Sequence, residues 1–214
     1  MSKPPAAEMV EHQLIRRGIH DQRVLNAMLT IPREEFVPAE YRATAYIDAP
    51  LPIGQEQTIT QPYMTALMAQ SLALGGGEKV LDVGTGSGYH AAVLGALARQ
   101  VITIERIPEL AASARENLGR TGLDSNVTVL CGDGSVGLPM EGPFDAISVA
   151  AASPQTPFAL LAQLNDPGIL VIPVGGRQDQ DLYVIHKFNG KTTTKVAGGC
   201  RFVPLVGKEG WREG

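Results

Sequence analysis

"KVLDVGTGSGYH", residues 79–90, decides how the rest of the chain is read. Its first half is an apolar run short enough for a buried strand, and its second half delivers Gly84, Gly86 and Gly88. A helical stretch is predicted to follow, from about Ser87 to Ala98. Glycines between a strand and a helix let the main chain approach a ligand closely and aim free amides at it. The spacing is G-x-G-x-G, with Tyr89 at the sixth position, so the dinucleotide pattern G-x-G-x-x-G/A is not met.

The next two strands add carboxylates at their ends. "VITIE" (101–105) closes on Glu105, where an acidic group accepts both ribose hydroxyl protons of a bound nucleoside. "NVTVLCGD" (126–133) leads into "GDG", which offers Asp133 to an adenine amino group. Asp82, two positions before Gly84, is suited to hold a positive amino group directly or through water. A nucleoside with an amino-acid end and no pyrophosphate fits this set, which points to S-adenosylmethionine. The expected cofactor residues are Asp82, Gly84, Thr85, Gly86, Gly88, Glu105, Asp133 and Gly134. The competing reading is a tight turn that uses glycine for packing alone.

Working outward, strands alternate with helices. A helix is predicted from Pro108, a good first-turn residue, to Leu118, a fourth strand at "FDAISVA" (144–150), a helix at about 157–164 and a fifth strand at "GILVIPVG" (168–175). "DLYVIHKF" and "TTTKVAGGCRFVPLV" read as two longer strands around an "NGK" turn. The fold class is therefore α/β, with a mostly parallel sheet and a C-terminal antiparallel hairpin. Before Lys79 the texture is helical. Val10, Gln13, Leu14 and Arg17 share one face, and Val24, Leu25, Met28 and Leu29 share another behind Asp21 as N-cap. "IPREEFVP" (31–38) ends that pattern, and "DAPLPIGQEQ" (48–57) reads as loop, its solvated "GQEQ" run able to cover a cofactor. A further helix starts near Thr60 with apolar residues at Met64, Leu67, Met68 and Leu72.

The 214 residues predict one domain, residues 1–214, with 1–58 as helical prelude and substrate loop. A net charge of −4 and the lack of any basic run longer than two residues argue against a nucleic-acid partner. The N-terminus lacks the apolar core of a signal peptide, and no stretch reaches a membrane-spanning length, so a cytoplasmic protein with no membrane partner is expected. A monomer is expected. Cys131 and Cys200 are expected as buried thiols, no metal motif is present, and His12, His20, His90 and His186 read as surface or packing residues.

With these residues in place the chain resembles the protein-L-isoaspartate (D-aspartate) O-methyltransferase family almost end to end. "IPREEFVP", "LPIGQEQTITQPYMTALM", "VLDVGTGSGYHAAVL", "IERIPELAASARENL", "GDG", "FDAISVAAA", "GILVIPVG" and "RFVPLV" follow in the family's order. The resemblance implies a Rossmann-like, seven-stranded class I S-adenosylmethionine-dependent methyltransferase fold. It also implies methylation of the free carboxylate of L-isoaspartyl residues in damaged proteins and peptides, with repair through a succinimide. Thr60 matches the position of the family's active-site serine and keeps its hydroxyl. On that footing Ile59, Thr60, Gln61 and Val203 are the expected acceptor-binding residues, with Thr60 orienting the carboxylate. A carboxylate of pKa near ~4 is already an anion at neutral pH and needs no general base.

Other readings stand beside this one. On sequence alone Thr60 also suits a helix N-cap, and Tyr63, Thr65 and Trp211 suit packing better than a pocket. A family member serving one dedicated peptide acceptor would explain Thr60, and an isoaspartyl sensor without turnover would use the same cofactor residues. Tyr89 disfavours a nicotinamide dehydrogenase.

Overall fold

A computed structural model of the chain describes residues 4–212. At the N-terminal side α1 (Pro5–Met9) runs into a π turn (Val10–Leu14) and a 3-10 turn (Ile15–Arg17). The π turn shifts the phase of the predicted face: Val10 and Leu14 are buried while Arg17 swings out to pair with Asp48. Asp21 does cap α2 (Gln22–Thr30), accepting from the Arg23 amide at 2.8 Å and the Val24 amide at 3.2 Å. Val24, Leu25 and Met28 are buried there, whereas Leu29 faces solvent.

The segment read as loop contains an antiparallel hairpin, β1 (Leu51–Gly54) and β2 (Gln57–Ile59), with Leu51 opposite Ile59 and Pro52 opposite Thr58. Gln55 and Glu56 turn it with φ of 52° and 57°. Two-residue hairpins of this hand ordinarily announce themselves with Asn-Gly or Asp-Gly, and neither is present to be read. Next comes α3 (Pro62–Ser71), whose N-cap residue is Gln61. Thr60 therefore precedes the cap, and no side chain caps this helix.

Seven strands follow in one sheet: β3 (Lys79–Val83), β4 (Gln100–Glu105), β5 (Val127–Cys131), β6 (Phe144–Val149), β7 (Leu164–Gly175), β8 (Gln180–Phe188) and β9 (Lys191–Cys200). Their order is β5-β4-β3-β6-β7-β8-β9, parallel from β5 through β7 and antiparallel beyond. The helices α4 (Tyr89–Gly95), α5 (Pro108–Thr121) and α6 (Phe158–Ala162) connect the parallel strands. Burial on both faces explains the near-continuous apolar runs. Val80, Val101, Ala146 and Val171 feed the core on one face, while Leu81, Ile102, Ile147 and Leu170 feed the other. Each such side chain contributes roughly 1.5–3 kcal/mol when fully buried.

Several boundaries differ from the sequence reading, three of them with a structural consequence. α4 ends at Gly95, where an added Cβ would sit 2.8 Å from Val127. β7 begins at Leu164 and takes the last part of the predicted helix. β9 stops at Cys200, so "RFVPLV" leaves the sheet and crosses the carboxyl ends of the strands, bridging Pro204 to Ala152. Pro204 has no amide for a ladder. Cys131 is exposed and Cys200 half-buried, against the expected burial, and both are free thiols. No helix among the described residues is long and apolar enough to cross a membrane.

Candidate active site

The chain order of the parallel strands reverses between β3 and β6, and a crevice opens at their carboxyl ends, where ligands bind in sheets of this kind. A cleft open to solvent, about 930 Å³ with its mouth included, lies there. Gly84, Thr85, Gly86, Glu105 and Gly134 all line it, together with Ile59 and Thr60 from β2 and its end, and Val203 from the C-terminal crossing. The glycine loop takes the left-handed φ values its sequence allows: 93° at Gly84, 54° at Gly86 and 92° at Gly88. Gly88 lies off the cleft wall; a Cβ there would meet Ala114 and Leu118 of α5 at 3.4 Å. Its glycine serves helix packing.

Glu105 is almost fully buried and holds the loop in shape. Its carboxylate accepts from the Gly86 amide at 2.9 Å and from the Ile107 amide at 3.0 Å. Lone pairs remain on both oxygens for the hydroxyls of a ribose. Asp82 sits deeper, with no solvent exposure and no place in the cleft lining. One of its oxygens accepts from the Thr103 hydroxyl at 2.8 Å; the other, Oδ1, has no hydrogen-bond partner and lies 4.0 Å from His90 Nε2. Asp82 is thus set behind the glycine loop rather than on the cleft wall. Burial pushes its pKa up to about 7, with the Thr103 hydrogen bond opposing and the Glu105 charge adding.

Asp133 follows the end of β5, as expected, but its carboxylate is engaged by the main chain around it. Its carboxylate accepts from the Ser135 amide at 2.9 Å and the Lys208 amide at 2.8 Å, and it lies outside the lining. Partial burial pushes its pKa up, but the Lys208 amide, the Ser135 hydroxyl and amide, and the Arg106 charge outweigh that and hold it below the usual carboxylate value. Asp133 therefore anchors the C-terminal segment beside the cleft, while Gly134 supplies the wall, so tightly that a Cβ would come within 2.6 Å of Val83.

A second, open cavity, about 1400 Å³ with its mouth included, adjoins the first and shares Thr58, Thr60, Ala150, Val203 and Pro204 with it. Gln61 lines this outer groove only. The Thr60 hydroxyl makes no hydrogen bond among the described residues, whereas its carbonyl accepts from Arg33 Nη2 at 2.9 Å. Arg33 is fully buried, donates Nε to the Ala45 carbonyl at 2.7 Å and lies over the Tyr89 ring at 4.8 Å. Opposite Thr60, the Val203 carbonyl accepts from the Ala152 amide at 2.8 Å, and the Val203 amide has no partner among the described residues.

One residue here escapes a reading of the sequence, and others are placed by the structure. Ile53 of the hairpin reaches over the loop, 3.2 Å from where a Cβ on Gly86 would stand. Thr65 lines the inner cleft and Tyr63 the outer groove, so neither is confined to packing. Trp211 donates Nε1 to the Ala152 carbonyl at 3.0 Å and lines neither cavity. His90 lines the cleft, but burial lowers its pKa to about 4, and Nε2 is engaged with the Ser148 hydroxyl at 2.9 Å. With so low a pKa and with Nε2 engaged, this imidazole is a weak proton acceptor.

The parallel strands, the glycine loop after β3 and the carboxylate at the end of β4 define a class I S-adenosylmethionine-dependent methyltransferase. More particularly, the chain belongs to the protein-L-isoaspartate(D-aspartate) O-methyltransferase family, whose model matches residues 6–210. It is 56% identical over 205 residues to protein-L-isoaspartate O-methyltransferase 2 of Marinobacter nauticus, covering 95% of this chain and 93% of that one. The protein-L-isoaspartate O-methyltransferase of Koribacter versatilis is 54% identical over 205 residues, 96% of this chain and 92% of the relative. A solved structure of a candidate protein-L-isoaspartate O-methyltransferase from Plasmodium falciparum, in complex with S-adenosyl-L-homocysteine, superposes with a TM-score of 0.81 at 31% identity. That match covers 96% of this chain and 99% of the other.

The residues present fit S-adenosylmethionine. Glu105 offers acceptors for the ribose, the glycine loop leaves room for a ligand against its main chain, and the orphaned Asp82 Oδ1 puts a latent negative charge behind that loop.

Proposed function

We propose that this protein methylates the free carboxylate of L-isoaspartyl residues in damaged proteins and peptides. The observation that carries the reading is that two cavities meet at Thr60, one suited to a nucleoside and the other open to a peptide. Held by these residues, S-adenosylmethionine would supply a methyl group on a cationic sulfur as the electrophile for the acceptor carboxylate, with a neutral thioether as leaving group. Thr60 donates its unengaged hydroxyl to that carboxylate and fixes its direction; the methyl on its Cβ restricts χ1. Ile59 and Gln61 flank it, and the Val203 amide binds acceptor main chain. Glu105 holds the ribose, with Gly84, Thr85, Gly86 and Gly134 as walls of the cofactor site, Gly88 and Asp133 as its supports and Asp82 as its buried counter-charge.

No residue need act as a base, because the acceptor is already ionised, and alignment of reacting groups supplies on the order of 7–11 kcal/mol when the geometry is right. The product ester then closes to a succinimide that reopens in part to normal aspartate. The protein is read as a single-domain monomer of the cytoplasm with no nucleic-acid or membrane partner.

The test is transfer of labelled methyl to two synthetic peptides identical except for isoaspartate or aspartate at one position. Base-labile label on the isoaspartyl peptide alone is the expected result. Label on neither, with cofactor binding intact, would overturn the reading in favour of a dedicated acceptor or a sensor.

A further inference from the structure

The outer groove carries charge of one sign. Arg17, Arg177 and Arg201 converge on it from distant segments of a chain whose net charge is −4. Arg17 is spoken for: it pairs with Asp48 and lies over the Tyr63 ring at 3.5 Å. The other two are exposed and have no carboxylate within ion-pair distance among the described residues. Arg177 stacks over the Trp211 ring at 4.9 Å, and Arg201 donates to Gln178 Oε1 at 2.8 Å. Asp181 is close enough to push the Cys200 thiol up, second to burial, yet it lies outside the groove lining.

These contacts hold both guanidinium groups without neutralising them. A stacked or singly bonded guanidinium keeps donors free, and its planar fork matches a carboxylate. Partial immobilisation beforehand also lowers the entropy lost when a partner docks. The net negative chain does not attract acidic segments from a distance, so any preference generated here is local.

Resting on the methyl-transfer reading above, we propose that Arg177 and Arg201 select acceptor segments carrying Asp or Glu beside the isoaspartyl residue. A peptide seated at Thr60 extends along the shared wall of Val203 and Pro204 into the groove, where its neighbouring side chains meet these two cations. Acidic neighbours then bind in place of the missing counter-ions, and basic neighbours are repelled. The discrimination appears in KM, because the charges lie away from the reacting atoms.

The experiment compares isoaspartyl peptides of equal length whose flanking residues are Glu, Gln or Lys, with methyl transfer measured from labelled S-adenosylmethionine. Each exposed pair changes affinity by up to about fivefold. The expected order of kcat/KM is Glu over Gln over Lys, through KM. It should flatten at about 1 M salt, where the screening length is about 3 Å. In Arg177→Gln/Arg201→Gln the Glu-to-Gln ratio should fall to about one, and in Arg177→Glu/Arg201→Glu the order should invert. A flat series in the unaltered protein, or an order that survives both double variants, would overturn the proposal. If the Gln-flanked isoaspartyl peptide is labelled while the series is flat, only this inference fails; if it takes no label, the methyl-transfer reading fails with it.

Discussion

The inner cleft and the outer groove meet at one residue but are built by different means. The inner cleft is made mostly of consecutive loops at the ends of β3, β4 and β5, closed by β2 and the 203–206 crossing, and the loop after β3 is locked through main-chain amides by Glu105. The outer groove is made of pieces near residues 17, 60, 177 and 201, held by long side chains such as Arg33 and Arg201. A loop locked by a buried carboxylate has little freedom left, so the inner cleft is preorganised. The groove's exposed arginines are each tethered by a single contact, so they keep more freedom than the loop does, and adaptability suits a site for many different damaged segments.

That contrast can be broken most sharply from the inner side. Glu105→Ala should weaken S-adenosylmethionine binding by about 100-fold or more, because hydrogen bonds to a charged group are worth about 1.5–3 kcal/mol each and the loop loses two of them besides the ribose contacts. Calorimetric titration of the cofactor checks this. A loss below about threefold would mean that the loop holds its shape without the carboxylate.

Thr60→Val addresses the junction. Removing one donor to an anion should lower kcat/KM for the isoaspartyl peptide by about 10–100-fold. Cofactor affinity should be unchanged, and Thr60→Ser should retain activity. A parallel fall in cofactor affinity would show that the two cavities are less separable than their walls suggest.

The smallest effect concerns Asp82. Its pKa is raised to about 7 in the folded protein against about 3.9 for an unperturbed aspartate, so the folded state binds the extra proton across that window. The group's favourable contribution is fully present below pH 4 and is lost as pH rises through 7. Asp82→Asn should therefore be more heat-stable than the unaltered apoprotein at pH 8, by about 2–4 °C for each kcal/mol of burial cost removed, with the difference vanishing near pH 4. Thermal melts across that range measure it. A difference independent of pH would show that the carboxylate does not titrate there.

Most of the parallel sheet is legible in the sequence itself. β3, β4 and β6 are short, apolar and largely buried, so their composition alone separates them from surface helices; β5, at the sheet's edge, keeps the strand alternation with Val127 and Val129 inward. The glycine loop and Glu105 are legible for a related reason: backbone geometry and a strand end impose residue types at fixed spacing. Asp133 can be placed at the end of β5 from local pattern, but its use cannot, because its partner is Lys208, far along the chain. The hairpin β1–β2 is hidden because Gln55 and Glu56 give no sign of the left-handed turn they adopt.

What this sequence determined alone is the alternation of strands and helices and a nucleoside site at the sheet's edge, since both follow from local periodicity and local stereochemistry. Only the tertiary structure decided that Asp82 lies behind the loop, that Thr60 stands free of the helix cap, and that Arg17, Arg177 and Arg201 share a groove. Those are distances between segments far apart in the chain, and they are set by how the sheet and its crossings pack rather than by any residue's neighbours in sequence.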